Sequence, residues 1–128
     1  MAFKDRTVTI IERNPICSKA YSQTFSEAGF LVKTIETGFH GLMDLVDDPP
    51  DAIVLGIELP DIDGLHILKN IVQQEDLCWR PLVVVTTQSA PEVHQELLDI
   101  GANATINRMT DSPLKLINII LKLLKKHE

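Results

Sequence analysis

The side chains best suited to phosphoryl chemistry gather after one apolar run, in "DAIVLGIELPDIDGL" (51–65), which carries Glu58, Asp61 and Asp63. A carboxylate at the end of a strand can attack phosphorus, and neighbouring acids can hold the Mg²⁺ that neutralises the phosphoryl oxygens. The residue at this strand end is Gly56, which has no side chain. Acids beside proline and glycine, as Asp61 and Asp63 are, commonly serve as turn or cap residues, which leaves Glu58 as the nearest alternative acceptor. The histidines offer no second nucleophile: His40, His66 and His94 fall in helical segments without a shared motif and read as surface or partly buried rings. Cys17 and Cys78, without a secretory signal, read as reduced, buried thiols rather than a disulfide.

The elements that must position these groups fit one compact domain over residues 1–128. With 45% hydrophobic and 23% charged residues, the chain has the composition of an ordinary globular protein. A net charge of −6 supplies no broad cationic face, so nucleic acid is not expected as a partner. No run reaches membrane-spanning length, and "MAFKDRTVTII" lacks the apolar core of a signal peptide; the expected compartment is the cytoplasm. The lysines of the terminal "KKHE" complement the negative end of a helix dipole.

Short apolar runs alternate with helical patterns. "TVTIIE" (7–12) precedes a helix that Asn14 caps and Pro15 opens, with Cys17, Ala20, Tyr21, Phe25 and Ala28 at helical spacing and Gly29 at its end. "FLVKTIE" has the mixed polarity of an edge strand. Phe39, Leu42, Met43 and Val46 form the expected core stripe of a second helix. The runs "AIVL" (52–55) and "LVVV" (82–85) are apolar throughout, as central strands covered on both faces must be. Leu65, Leu68, Ile71 and Val72 mark a third helix; Ser89 and Glu92 read as a capping box for a fourth, which carries Val93, Leu97 and Ile100 and ends at Gly101. "ATI" (104–106) is a short last strand before the final helix. Five strands alternating with five helices predict a flavodoxin-like, doubly wound α/β fold with a parallel sheet in the order 2-1-3-4-5. Its crevice would lie at the carboxyl ends of the first and third strands, beside Glu12-Arg13 and Gly56.

In this arrangement the chain resembles the receiver domains of two-component response regulators. "IIERNP", "PDAIVLGIELPDIDG", "PLVVVTT" and "GANATINR" match four separated segments of that family in order and spacing, and Pro60 and Gly64 fall on its loop proline and glycine. The resemblance implies a phosphoacceptor at Gly56, an acid pair at Glu12 and Arg13, a switch hydroxyl at Thr86, and at Arg108 the lysine that, with the hydroxyl, binds the transferred group. Only Thr86 has the expected type, and Glu12 alone remains of the acid pair. The aromatic switch of the family falls on Thr105, and the proline that follows its lysine across a cis peptide bond is here Met109. A cis bond before Met109 would cost ~3 kcal/mol, so the expectation is a trans bond in a rearranged loop or a cis bond held by its surroundings.

These departures define a degenerate receiver, a pseudo-receiver without the acceptor aspartate. It is expected to bind signalling proteins independently of phosphorylation, to perform no catalysis and to have lost Mg²⁺, with Arg13 pairing with Glu12 or Glu58 in place of the metal. The alternatives are a working phosphorelay receiver with a displaced acceptor such as Glu58, and a small-ligand sensor that uses the crevice. On a helical wheel the last helix places Leu114, Ile117, Ile120, Leu121 and Leu124 on a core face and Leu116, Ile119 and Leu123 on a second stripe. If that stripe faces water, it suits a contact surface, including one for a homodimer.

Overall fold

The computed structural model describes residues 5–126. His127 and Glu128 of the "KKHE" end, and Met1 to Lys4 of the N-terminal segment, lie outside the described residues. The elements are β1 (Thr7–Ile11), α1 (Pro15–Glu27), β2 (Leu31–Ile35), α2 (Gly38–Asp47), β3 (Ala52–Gly56), α3 (Gly64–Gln73), β4 (Leu82–Thr86), α4 (Pro91–Ile100), β5 (Ala104–Asn107) and α5 (Pro113–Lys126). The strands form one parallel sheet in the order β2-β1-β3-β4-β5, the doubly wound order expected from the sequence. No helix among the described residues is long and apolar enough to cross a membrane.

Strand alternation divides the core into two layers. Val8, Ile10, Ala52, Val54, Val83 and Val85 face α1 and α5, where they meet Tyr21, Phe25, Ile117 and Ile120. Ile11, Ile53, Leu55, Leu82 and Val84 face the other way, onto Leu45, Ile67, Leu68, Ile71 and Leu97. β3 and β4 are buried along their whole length, whereas β2 is mostly exposed, as an edge strand of mixed polarity must be. The Asn14 side chain accepts hydrogen bonds from Ile16 N and Cys17 N to open α1, and Gly29, with φ of 97°, follows its end.

Four local expectations are corrected. The stripe of Phe39, Met43 and Val46 on α2 faces outward, and the face turned to the sheet carries Gly38, Gly41 and Leu45. At this turn the helix approaches the sheet closely: a Cβ on Gly41 would stand 2.6 Å from Ile11 Cδ1. On α5, Leu116 is 0% exposed while Leu114 is 66% exposed. Ile119 and Leu123 pack partly buried against the same core. Because α5 rests against both the sheet and α1, a wide arc of it is covered, and the supposed outer stripe is largely an inner one. The N-cap of α4 is Ala90, with no side-chain bond, rather than Ser89; Pro91 in the first turn sets the start. Both cysteines are free as expected, but Cys17 is half-buried and Cys78 exposed.

Leu116→Ala is therefore expected to lower stability by about 2–5 kcal/mol, the cost of a cavity, whereas Leu114→Ala should stay within about 0.5 kcal/mol. Urea unfolding of the two variants measures the difference; equal losses would contradict the burial pattern.

Candidate functional site

The carboxyl ends of β1, β3, β4 and β5 bring Glu12, Gly56, Thr86 and Arg108 to one crevice, and the loop after β3 adds Glu58. Its floor is an ion pair. Arg108 Nη2 stands 2.6 Å from Glu12 Oε1, with the two side chains 8% and 1% exposed. The N–H directions do not meet that oxygen, so the pair is a charge contact rather than a hydrogen bond: Glu12 Oε1 and Arg108 Nε and Nη2 have no hydrogen-bond partner. Glu12 Oε2 accepts from Asn14 N at 3.0 Å, which ties the carboxylate to the start of α1. Arg108 N donates to Thr86 O at 2.9 Å, so the guanidinium is carried by backbone that extends the β4–β5 pairing by one residue.

Gly56 lies beside the Glu12 carboxylate. A Cβ built on it would stand 3.1 Å from Ile11 O and 3.2 Å from Glu12 Oε1. A side chain here would require Glu12 or the end of β1 to give by a few tenths of an ångström.

Glu58 closes the crevice from the solvent side. Thr86 Oγ1 donates to its Oε2 at 2.7 Å and Thr87 N donates to its Oε1 at 2.9 Å. The same Oε1 is 3.6 Å from Arg108 Nη2, and the side chain is 32% exposed. Asp61 and Asp63 do serve as caps. Asp61 accepts from Gly38 N at 2.8 Å and Phe39 N at 3.0 Å, tying the β3–α3 loop to the start of α2, and Asp63 accepts from Leu65 N at 3.0 Å to start α3. The backbone N–H groups of Phe39 and Gly38 hold the Asp61 carboxyl below its ordinary pKa.

The cation in the crevice is Arg108, not Arg13, which is exposed and makes no ion pair among the described residues. Neighbouring residues of an extended segment point to opposite sides, so with Glu12 turned inward Arg13 is turned out. The peptide bond before Met109 is trans, as are all the others described. Asn107 shapes the rearranged turn: its Oδ1 accepts from Met109 N and its carbonyl from Asp111 N.

Thr105, which stands at the family's aromatic switch position, meets a ring supplied by α4. His94 Nδ1 lies 2.6 Å from Thr105 Oγ1 and Nε2 lies 2.7 Å from Gln88 O. A carbonyl can only accept, so Nε2 carries a proton and donates to Gln88 O, while Nδ1 shares a hydrogen bond with the Thr105 hydroxyl. The sequence places His94 only as a surface or partly buried ring. Its position one turn into α4, with Thr105 on the adjacent strand, was the signal available.

Residues 8–120 match the response regulator receiver domain. Curated relatives include the polar-differentiation response regulator DivK of Brucella ovis, 24% identical over 108 residues, a stretch covering 84% of this chain and 88% of DivK. Among solved structures, the receiver domain of the Francisella response regulator 1452 superposes with a TM-score of 0.89 at 20% identity, covering 97% of this chain and 100% of that one. The chemotaxis response regulator CheY4 of Vibrio cholerae superposes at 0.84 with 21% identity, over 94% of this chain and 99% of that one. The chain belongs to the receiver-domain family of two-component signalling, with the flavodoxin-like fold that its topology already defines.

Arg108→Met should leave Glu12 buried without a counter-charge and lower stability by about 3–5 kcal/mol, while Arg108→Met combined with Glu12→Leu should recover a large part of that loss. A double variant no more stable than the single one in urea unfolding would show that the two charges are not coupled. Asp61 gives a pH signature. Because its folded pKa is depressed, its contribution is complete above the pKa of the unfolded carboxyl, near 3.8, and is lost as pH falls through the lower folded value. Asp61→Asn should therefore flatten the stability profile below about pH 4 relative to the parent chain, measured by denaturation across an acid series.

Proposed function

We propose that this chain is a pseudo-receiver, a protein-interaction module of two-component signalling whose binding state does not depend on phosphorylation. One observation carries the reading: where an acceptor carboxylate would project from β3 there is Gly56, with the Glu12 carboxylate packed 3.2 Å from the position of its missing Cβ. The Mg²⁺ that receiver chemistry uses does not fit this donor set. Gly56 offers no ligand, Arg13 is an exposed cation, and the remaining acid, Glu12, already faces Arg108 at 2.6 Å. A divalent cation would have to displace a guanidinium from a buried carboxylate, and no group of three or more metal-ligating side chains occurs among the described residues.

The module so proposed works in the cytoplasm, without catalysis, and its partners are other signalling proteins; a net charge of −6 disfavours nucleic acid. Burial of Leu116 removes the support for a homodimer through the outer stripe of α5. The apolar side chains left in water on α2, Phe39, Met43 and Val46, are better placed to meet a partner.

Incubation of the chain with Mg²⁺ and a small phosphodonor, followed by intact-mass measurement, is expected to yield no adduct. A stoichiometric, hydroxylamine-sensitive phosphoryl adduct would overturn the proposal. Its disappearance in Glu58→Gln would then assign the displaced acceptor to Glu58.

A further inference from the structure

We propose that Glu58 is a built-in anion, a carboxylate from the chain itself that occupies the place of a transferred phosphoryl group and thereby holds the β4–α4 loop in one arrangement. The inference rests on the pseudo-receiver reading and adds to it what takes over the phosphoryl group's structural work.

Two hydrogen-bond donors and one guanidinium converge on Glu58. The resemblance assigns the Thr86 hydroxyl and the cation at residue 108 to the transferred group, and here both face one carboxylate. Thr87 N is the second donor, 2.9 Å from Oε1. Thr86 is fully buried, and the Arg108 side chain is 8% exposed with Nε and Nη2 unpartnered by hydrogen bonds. A carboxylate that accepts a hydroxyl and an amide while facing a guanidinium makes the same kind of charge-assisted contacts as a phosphoryl group. Glu58 reaches this point because it lies two residues past Gly56, beyond the end of β3, and its longer side chain turns back toward β4.

The contacts continue outward. Thr86 Oγ1, while donating to Glu58, accepts from Gln88 N at 3.1 Å. Gln88 O in turn accepts from His94 Nε2 at 2.7 Å and from Asn107 Nδ2 at 3.4 Å, and His94 Nδ1 is hydrogen-bonded to the Thr105 hydroxyl at 2.6 Å. One hydrogen-bonded chain thus runs from Glu58 through the β4–α4 loop to α4 and β5. Thr87 N is fixed to the carboxylate, and Gln88 O to the helix and strand beyond.

The test uses the whole chain and amide exchange resolved by NMR. Glu58→Ala is expected to speed exchange at Thr87 and Gln88 at least about tenfold, consistent with the loss of a charge-assisted hydrogen bond. It should also open an oxyanion site: inorganic phosphate or sulfate should shift the Thr87 and Arg108 resonances of Glu58→Ala and slow the exchange again, while leaving the parent chain unmoved. Should Glu58→Ala fail to fold, Glu58→Gln and Thr86→Val serve instead, each expected to speed Thr87 exchange. Unchanged exchange in the folded variants would overturn the proposal, as would phosphate shifts of equal size in the parent chain. Either result leaves the phosphodonor experiment on the parent chain to judge the pseudo-receiver reading separately.

Discussion

Everything at the carboxyl end of the sheet is arranged around the contact between Glu12 and Arg108. Two charges nearly removed from water are tolerated because each neutralises the other at 2.6 Å; either alone would carry a desolvation penalty of several kcal/mol. The pair joins the end of β1 to the turn after β5, across β3 and β4, so the four strand ends beneath it share one electrostatic constraint. Glycine at position 56 is part of the same arrangement: with no side chain there, the Glu12 carboxylate can settle onto the strand and meet the guanidinium.

With the floor neutralised in this way, the loops above it need an anion of their own to satisfy Thr86, Thr87 and the outer edge of Arg108. Glu58 provides it. The consequence is a division of labour between the acids of the crevice. Glu12 is buried and balances charge, Glu58 is partly exposed and binds a loop, and Asp61 and Asp63 start helices. Glu12 and Glu58 thus share the Arg108 guanidinium, while Asp61 and Asp63 hold backbone N–H groups at helix starts.

Much of the architecture was legible in the residues. The uniformly apolar "AIVL" and "LVVV" could only be interior strands, and the polar alternation of "FLVKTIE" marked an edge, because a parallel sheet between helices buries its middle strands on both faces. The Asn14 cap and the glycine at 29 were readable for the same reason, since both act over a few neighbouring residues. Helix faces were less legible. Phe39, Met43 and Val46 have the spacing of a core stripe but lie in water, and Leu116 was placed outside although it is fully buried. A helical wheel gives the relative angles of side chains, yet the orientation of the whole helix depends on how closely its glycines allow it to approach the sheet, and on which neighbour covers its flank.

The sequence by itself determined the order of elements, the sheet topology and the chemical types at the strand ends, including a glycine at 56 and cations at 13 and 108. These follow from local pattern and chain order. Which cation enters the crevice, and which acid reaches Thr86, was decided only by the tertiary structure. Glu12 and Arg108 stand on β1 and β5 ends separated by most of the chain, and Glu58 meets Thr86 across 28 residues. Such pairings depend on side-chain direction, on backbone that turns Arg13 outward and on the space left by a glycine, quantities that exist only once the strands lie side by side.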